Sequence, residues 1–301
     1  MSVVRNEVNG DNVHTGCYCR GVYQGFVHVC YIVHRDYIVD KVHIVIMDYI
    51  VHRGYNDHND DSVHKAYRTY KVYNDYKDYN EINKNRSSMI ILFTNIKGGV
   101  GKTSTCALFA QYLYESGYPV TVLDADIQAS LSRHRERELA ANPDVTVPWE
   151  VSNIDTADRQ SLMSSIEEVM KLDGIVLIDM PGTLNAVNLD LLYKVADLAV
   201  VPISYDFDTI DATGLFIKVV RKMKDIKMVF LPNRINSTEN RADEMMQREE
   251  TVKILGRIGK VTPRIKQSVV IKRYSTVSPL DKYQKAAVEH AFDAIVEQIK
   301  L

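Results

Sequence analysis

Residues 95–104 read Asn95-Ile96-Lys97-Gly98-Gly99-Val100-Gly101-Lys102-Thr103-Ser104, between the apolar run Ile90-Ile91-Leu92-Phe93 and the helical stretch Cys106-Ala107-Leu108-Phe109-Ala110. Strand, glycine-rich turn and helix in that order predict a phosphate cradle. Glycines at 98, 99 and 101 let the backbone curl so that successive amide N–H groups point at phosphate oxygens, and the following helix adds its positive N-terminal end. Lys102 supplies a point charge for the outer phosphates, and the Thr103 hydroxyl suits a magnesium shell. A glycine-rich turn that merely joins a strand to a helix requires neither of the two flanking lysines.

Working outward, short apolar β-rich runs recur at 90–93, 120–123, 175–178, 198–202 and 228–231. All are short enough to be buried on both faces. Helical patterns fill the gaps at 103–116, 158–171, 186–196, 209–223, 238–254 and 282–299. The alternation predicts an α/β fold, a mostly parallel twisted sheet flanked by helices, with the cradle after its first strand. Acids close two of these strands: Asp124-Ala125-Asp126 after the second and Asp179 after the third. They fall at the carboxyl edge, where open α/β sheets bind ligands. Alone, an Asp-x-Asp at a strand end is more often a turn or a helix cap.

The run Lys97-Gly98-Gly99-Val100-Gly101-Lys102-Thr103-Ser104 resembles the deviant Walker A motif of the ParA and MinD superfamily of P-loop ATPases, with Lys97 as the extra, signature lysine. The resemblance covers residues 89 to about 300 and implies an ATP- and Mg2+-dependent homodimer, in which Lys97 reaches the partner's phosphates and stabilises transition-state charge in trans. It assigns Lys97, Lys102 and Asp126 to catalysis, Asp126 positioning the attacking water. It assigns Asp124, Asp179 and Thr103 to magnesium, and residues 97–104 with Asn233, in Leu231-Pro232-Asn233-Arg234, to the nucleotide. Asn233 would lie against adenine, although a cap or turn role explains an asparagine there equally well. The sequence departs from the family at Ile127, where proline usually follows the second aspartate, and Pro181-Gly182 would open a phosphate-sensing switch loop.

Residues 251–285 hold nine Lys or Arg, among them Lys260, Arg264, Lys266, Lys272 and Arg273, against the single acid Asp281. With the resemblance, this patch implies nonspecific DNA binding by the ATP dimer, sensitive to salt, and a ParB-like activator protein. The overall charge of -2 gives no reason to expect a chain that coats nucleic acid throughout. Val288, Phe292, Ile295 and Ile299 form a stripe that could sit on a membrane, as in a MinD-like protein, but Glu289, Asp293 and Glu297 opposite it favour packing in the core. No membrane partner is expected. Cys106 is the only cysteine after residue 30, which disfavours iron–sulfur branches. The four cysteines show no paired spacing, and no run approaches 18 apolar residues, so the expected location is cytoplasmic; the resemblance, through its DNA binding, implies association with the nucleoid. A nucleotide-binding regulator of a mobile element with little turnover is the main alternative.

The first 88 residues differ in kind. They hold seven of nine histidines and eleven of eighteen tyrosines, and Tyr-Ile-Val-His-Arg occurs at 31–35 and 49–53. A His-rich metal tract, a small strand-rich appendage and sequence foreign to the folded protein are the three readings. The histidines lack short fixed ligand spacings, and Met89 stands directly before the first core strand. The sequence therefore favours a disordered segment or a misassigned start over 1–88, with an ATPase domain over 89–301.

Overall fold

The computed structural model describes residues 86–183, 188–236 and 242–299, with two short strands at 17–18 and 31–32. Contacts divide the chain into two compact units, Met1–Glu81 and Ile82–Leu301. In the first, strand β1 (Cys17–Tyr18) pairs antiparallel with β2 (Tyr31–Ile32). The metal-tract, appendage, disordered-segment and misassigned-start readings otherwise fall outside the described residues.

The second unit is a seven-stranded, fully parallel sheet. In chain order its elements are β3 (Ser88–Phe93), α1 (Lys102–Glu115), β4 (Val120–Asp124), α2 (Ser130–Ala141), β5 (Glu150–Asn153), α3 (Arg159–Met170), β6 (Gly174–Asp179) and α4 (Leu189–Val195). There follow β7 (Leu198–Ile203), α5 (Phe207–Met223), β8 (Lys227–Pro232), α6 (Ala242–Leu255), β9 (Lys260–Val261), α7 (Val269–Lys272) and α8 (Lys282–Val296). The strand order is β5-β4-β6-β3-β7-β8-β9. From β3 the chain crosses to β4 on one side, and from β6 it crosses to β7 on the other. The carboxyl ends of β3 and β6 thus flank a topological switch point, the crevice such sheets use for ligands.

The five strands expected from apolar runs all form, and nearly every residue in them is buried. Ile90, Ile91, Leu92 and Phe93 are completely buried. β3 begins two residues before Ile90: Ser88 and Met89 pair with Gly174 and Ile175. Arg86 ties this end down by donating to the Val195 carbonyl at 3.0 Å and pairing with Asp197. The unexpected strands are the two edges. β5 reads Glu-Val-Ser-Asn and is mostly exposed, and β9 is two residues long. Neither carries the apolar run that marks a buried strand.

Helix α2 is a further element that the apolar pattern does not announce. Its sequence, SLSRHRERELAA, buries only Leu131, Ser132 and Arg135. Arg135 stands where a leucine would be expected. Its guanidinium lies 4.6 Å from the Trp149 ring and donates to the Trp149 carbonyl at 2.8 Å, the Thr276 hydroxyl at 2.8 Å and the Thr276 carbonyl at 2.7 Å. A buried cation satisfied this fully leaves no apolar periodicity to read. The starts expected for α4 and α6 include 186–187 and 238–241, which lie outside the described residues.

The apolar stripe of α8 faces inward. Val288, Phe292 and Ile295 are fully buried, and Phe292 packs edge-on against Phe109 of α1 at 5.1 Å. Asp281 and Gln284 close a capping box at the helix start, and Lys285 pairs with Glu115 at 2.7 Å. Among the described residues, no helix is long and apolar enough to cross a membrane.

Candidate functional site

The cradle is assembled from both sides of β3. Behind it, the buried Asn95 donates to the Pro202 carbonyl at 2.9 Å and to Thr213 at 3.0 Å, and accepts from the Lys97 N–H at 3.1 Å. Gly99 (φ 76°) and Gly101 (φ 93°) occupy the left-handed region. At Gly101 a side chain is excluded twice, because a Cβ there would also lie 2.4 Å from Asn233 Nδ2. Gly101 caps α1 without a side-chain bond, and the first turn carries no acid. The helix therefore presents uncommitted N–H groups and the positive end of its dipole, an anion site by construction.

Lys102 is buried, and its ammonium donates to the Lys97 carbonyl at 3.3 Å. Burial pulls its pKa below the usual lysine range, against the opposing influence of Asp179 and Asp126. Lys97 is only partly buried, and its Nζ lies 3.2 Å from Asp208 at the start of α5.

The three sequence-derived carboxylates have different environments. Asp124 is buried, and both its oxygens are engaged by backbone: Oδ1 accepts from Asp126 N at 3.2 Å, and Oδ2 from Leu131 N at 3.0 Å and Ser132 N at 3.1 Å. It fixes the turn after β4 and the start of α2. Burial raises its pKa and these amide bonds oppose the rise. Asp126 lies partly open on a cleft of about 850 Å³ with Lys102, Thr103, Gln128, Gly182 and Tyr274. Asp179 is 1% exposed, accepts from the Thr103 hydroxyl, and has one oxygen, Oδ1, with no partner among the described residues. Burial pushes its carboxyl up to about 7.

A hydroxyl and an acid with a free oxygen, beside a phosphate cradle, form the hard oxygen set that suits Mg2+. The orphaned Asp179 oxygen is the feature that fits: a buried lone pair without a partner is costly until a cation or its water shell meets it.

On the other side of the cradle, Asn233 directly follows β8. It is 1% exposed; its Nδ2 donates to the Val100 carbonyl at 2.9 Å, while its Oδ1 has no partner among the described residues. It borders a cavity of about 330 Å³ with Gly99, Gly101, Ser104, Lys266 and Lys272. Thus two residues expected on DNA stand beside the nucleotide loop. All five expected DNA residues are exposed. Lys260 pairs with Glu297 at 3.8 Å, Arg264 lies near the Tyr205 hydroxyl, and Arg273 caps α7. Each of the five thus has its own local neighbour, and Lys266 and Lys272 share the cavity beside Asn233.

Residues 91–268 match the CobQ/CobB/MinD/ParA nucleotide-binding domain. The chain belongs to that family. Among solved structures, a plasmid partition protein of Borrelia burgdorferi matches at 16% identity over 71% of this chain and all of its own, with a TM-score of 0.55. The ATP complex of a variant of Cyanothece McdA matches at 14% identity over 72% of this chain and 98% of its own, with a TM-score of 0.56. At such identities these share the fold of this family member. Curated relatives match over shorter stretches: a candidate replication protein A of Rhizobium rhizogenes is 56% identical over 43 residues, 14% of this chain and 11% of that protein. The chain spans between 11% and 26% of the length of the curated relatives it matches.

Three residues of this family member's site were missed by sequence reasoning. Tyr274 lines the cleft and stacks on His134 at 4.7 Å, and burial, with Asp179 nearby, pushes its hydroxyl up to about 12. Asn188 (φ 65°) donates to the Thr156 and Ala157 carbonyls at 3.0 and 3.3 Å, and those two residues line the same cleft. Arg234 follows Asn233 and touches the cradle directly. Tyr274 and Asn188 carry no local signal, since their partners lie far away in sequence. Arg234 adjoined a motif already recognised.

Proposed function

We propose that this chain is a ParA-like ATPase that dimerises with ATP, holds nonspecific DNA in that state and releases it on hydrolysis. The observation that carries this reading is one open helix N-terminus flanked by Lys102 and an amide cradle on one side and by Asp126 and the partner-free Asp179 oxygen on the other. Cradle amides and Lys102 bind the phosphates of ATP. Asp126, open to the cleft, orients and deprotonates the attacking water. Thr103 and Asp179 hold Mg2+, which when bound offsets charge on the phosphate oxygens. Asp124 acts through the backbone, keeping Asp126 in place. The unpartnered Oδ1 of Asn233 suits the amino group of adenine.

Lys97 is the residue for the second subunit. Its bond to Asp208 is an exposed pair, screened by water and easily given up. A dimer that recruits Lys97 to the partner's phosphates couples turnover to assembly. The exposed cations of 260–273 then bind DNA phosphates on two subunits at once, and a ParB-like activator would speed a slow intrinsic hydrolysis. Partition of a plasmid, chromosome or other element on the nucleoid is the role such a cycle serves.

The test is DNA binding by the full chain with ATP, ADP or no nucleotide, at two salt concentrations, beside a Lys97→Ala variant. ATP-dependent, salt-sensitive binding that the variant lacks is expected. Binding that ignores nucleotide, with no turnover, would replace this reading with that of a nucleotide-binding regulator.

A further inference from the structure

Asn233 and Arg234, consecutive directly after β8, take two consecutive carbonyls of the phosphate loop. Asn233 Nδ2 donates to Val100 O at 2.9 Å, and Arg234 Nη1 donates to Gly99 O. In a trans peptide the C=O of one residue and the N–H of the next point in opposite directions. Drawing Gly99 O toward Arg234 therefore turns the Val100 N–H away from β8, and drawing Val100 O toward Asn233 does the same for Gly101. In the sheet, β7 and β8 lie on one side of β3, whereas β6 and β4, with Asp179 and Asp126, lie on the other. On the nucleotide-binding reading the phosphates sit beside Asp126 and Asp179, and the two amides are turned toward that side.

Arg234 adopts an unfavourable backbone to do this. Its φ is 58°, in the left-handed region that residues with a Cβ avoid. The neighbours hold it there: Asn233 N donates to Ile203 O at 2.7 Å, Ile235 N to Ile265 O at 3.2 Å, and Gln267 N to Ile235 O at 2.9 Å. An exposed arginine gains little for the fold from such a conformation, since its side-chain hydrogen bond among the described residues is to one loop carbonyl. Strain of this kind concentrates at ligand clamps. Arg234 also lies where two cavities meet, one of about 260 Å³ with Lys97, Gly98 and Asp206, the other the cavity of about 330 Å³ beside Asn233.

We infer that Arg234 is a positioning residue for nucleotide binding, which holds the Gly99 carbonyl so that the Val100 N–H is preset toward a bound phosphate. This inference rests on the nucleotide-binding reading of the same loop. Unlike Lys102, Arg234 acts through the backbone, and its contribution is a cradle already formed before the ligand arrives.

The experiment compares the full chain with Arg234→Gly, Arg234→Lys and Arg234→Ala, measuring melting temperature without nucleotide and affinity for a fluorescent ATP analogue. Glycine suits a positive φ, so Arg234→Gly is expected to melt at the same temperature or up to about 4 °C higher. It should nevertheless bind the analogue about tenfold more weakly, with the loss in turnover falling on KM more than on kcat. Lysine, which keeps one cationic donor, should recover part of the affinity that alanine loses. A glycine variant that binds within twofold of the unaltered chain, or whose weaker binding is matched by a lower melting temperature, would overturn the inference. Absence of binding by the unaltered chain would overturn the nucleotide reading together with it.

Discussion

The two flanks of the phosphate loop are built on opposite principles. Toward β4 and β6, the wall is a set of carboxylates held apart by different surroundings: Asp124 is consumed by backbone amides, Asp126 is open to the cleft, and Asp179 is buried with an oxygen to spare. Toward β8, the wall consists of donors, Asn233 and Arg234, that grip the loop itself. One flank leaves carboxylate oxygens open to the cleft or without a partner among the described residues. The other spends its hydrogen bonds on shape. The same chemical type, an aspartate at a strand end, therefore yields a structural brace and a carboxylate open to the cleft within two residues of each other.

That contrast breaks most sharply at Asp126. If it alone of the three acids handles the attacking water, Asp126→Ala should lower single-turnover ATP hydrolysis by about 10²–10⁴-fold while leaving ATP affinity nearly intact. A similar loss with Asp124→Asn would be expected to come with a lower melting temperature, since that change disturbs bonds to Leu131 and Ser132.

Asp179 gives a smaller effect with a definite sign. Its folded pKa of about 7 lies above the ordinary 3.8, so the folded chain holds a proton that the unfolded chain has already released. Stability should fall as pH rises from about 4 to about 7 and then level off. Thermal melts without metal should show this decline, and Asp179→Asn should remove it. At pH 8, Mg2+ with nucleotide should raise the melting temperature of the unaltered chain more than that of the variant.

The smallest effects separate the cations of 260–273 from one another. Lys260 lies on the far edge strand, so Lys260→Ala should reduce the salt slope of DNA binding by about one unit without changing nucleotide affinity. Lys272 borders the cavity beside Asn233, and Lys272→Ala should weaken the nucleotide instead. Equal effects of the two on DNA alone would return both to one binding face.

Much of this was legible in the chain. Each buried strand announced itself because a segment covered on both faces must be apolar throughout, as 90–93 and 198–203 are. The loop was legible because its chemistry is local: backbone amides, glycines and a lysine within ten residues make the anion site. The exceptions share a cause. α2 hides because its inward residue is Arg135, whose partners lie at Trp149 and Thr276. β5 and β9 hide because edge strands need no apolar run. Tyr274 joins the cleft only when the chain returns from the far side of the sheet.

Sequence by itself determined the α/β class, the cradle and the set of acids at the sheet's carboxyl edge, since each depends on spacing within one segment. Only the tertiary structure decided how those acids differ, where Lys266 and Lys272 stand, and that Arg234 bends into a left-handed backbone to hold Gly99. Those outcomes depend on burial and on hydrogen bonds between segments more than a hundred residues apart, such as Asn233 with Val100, which no local pattern encodes.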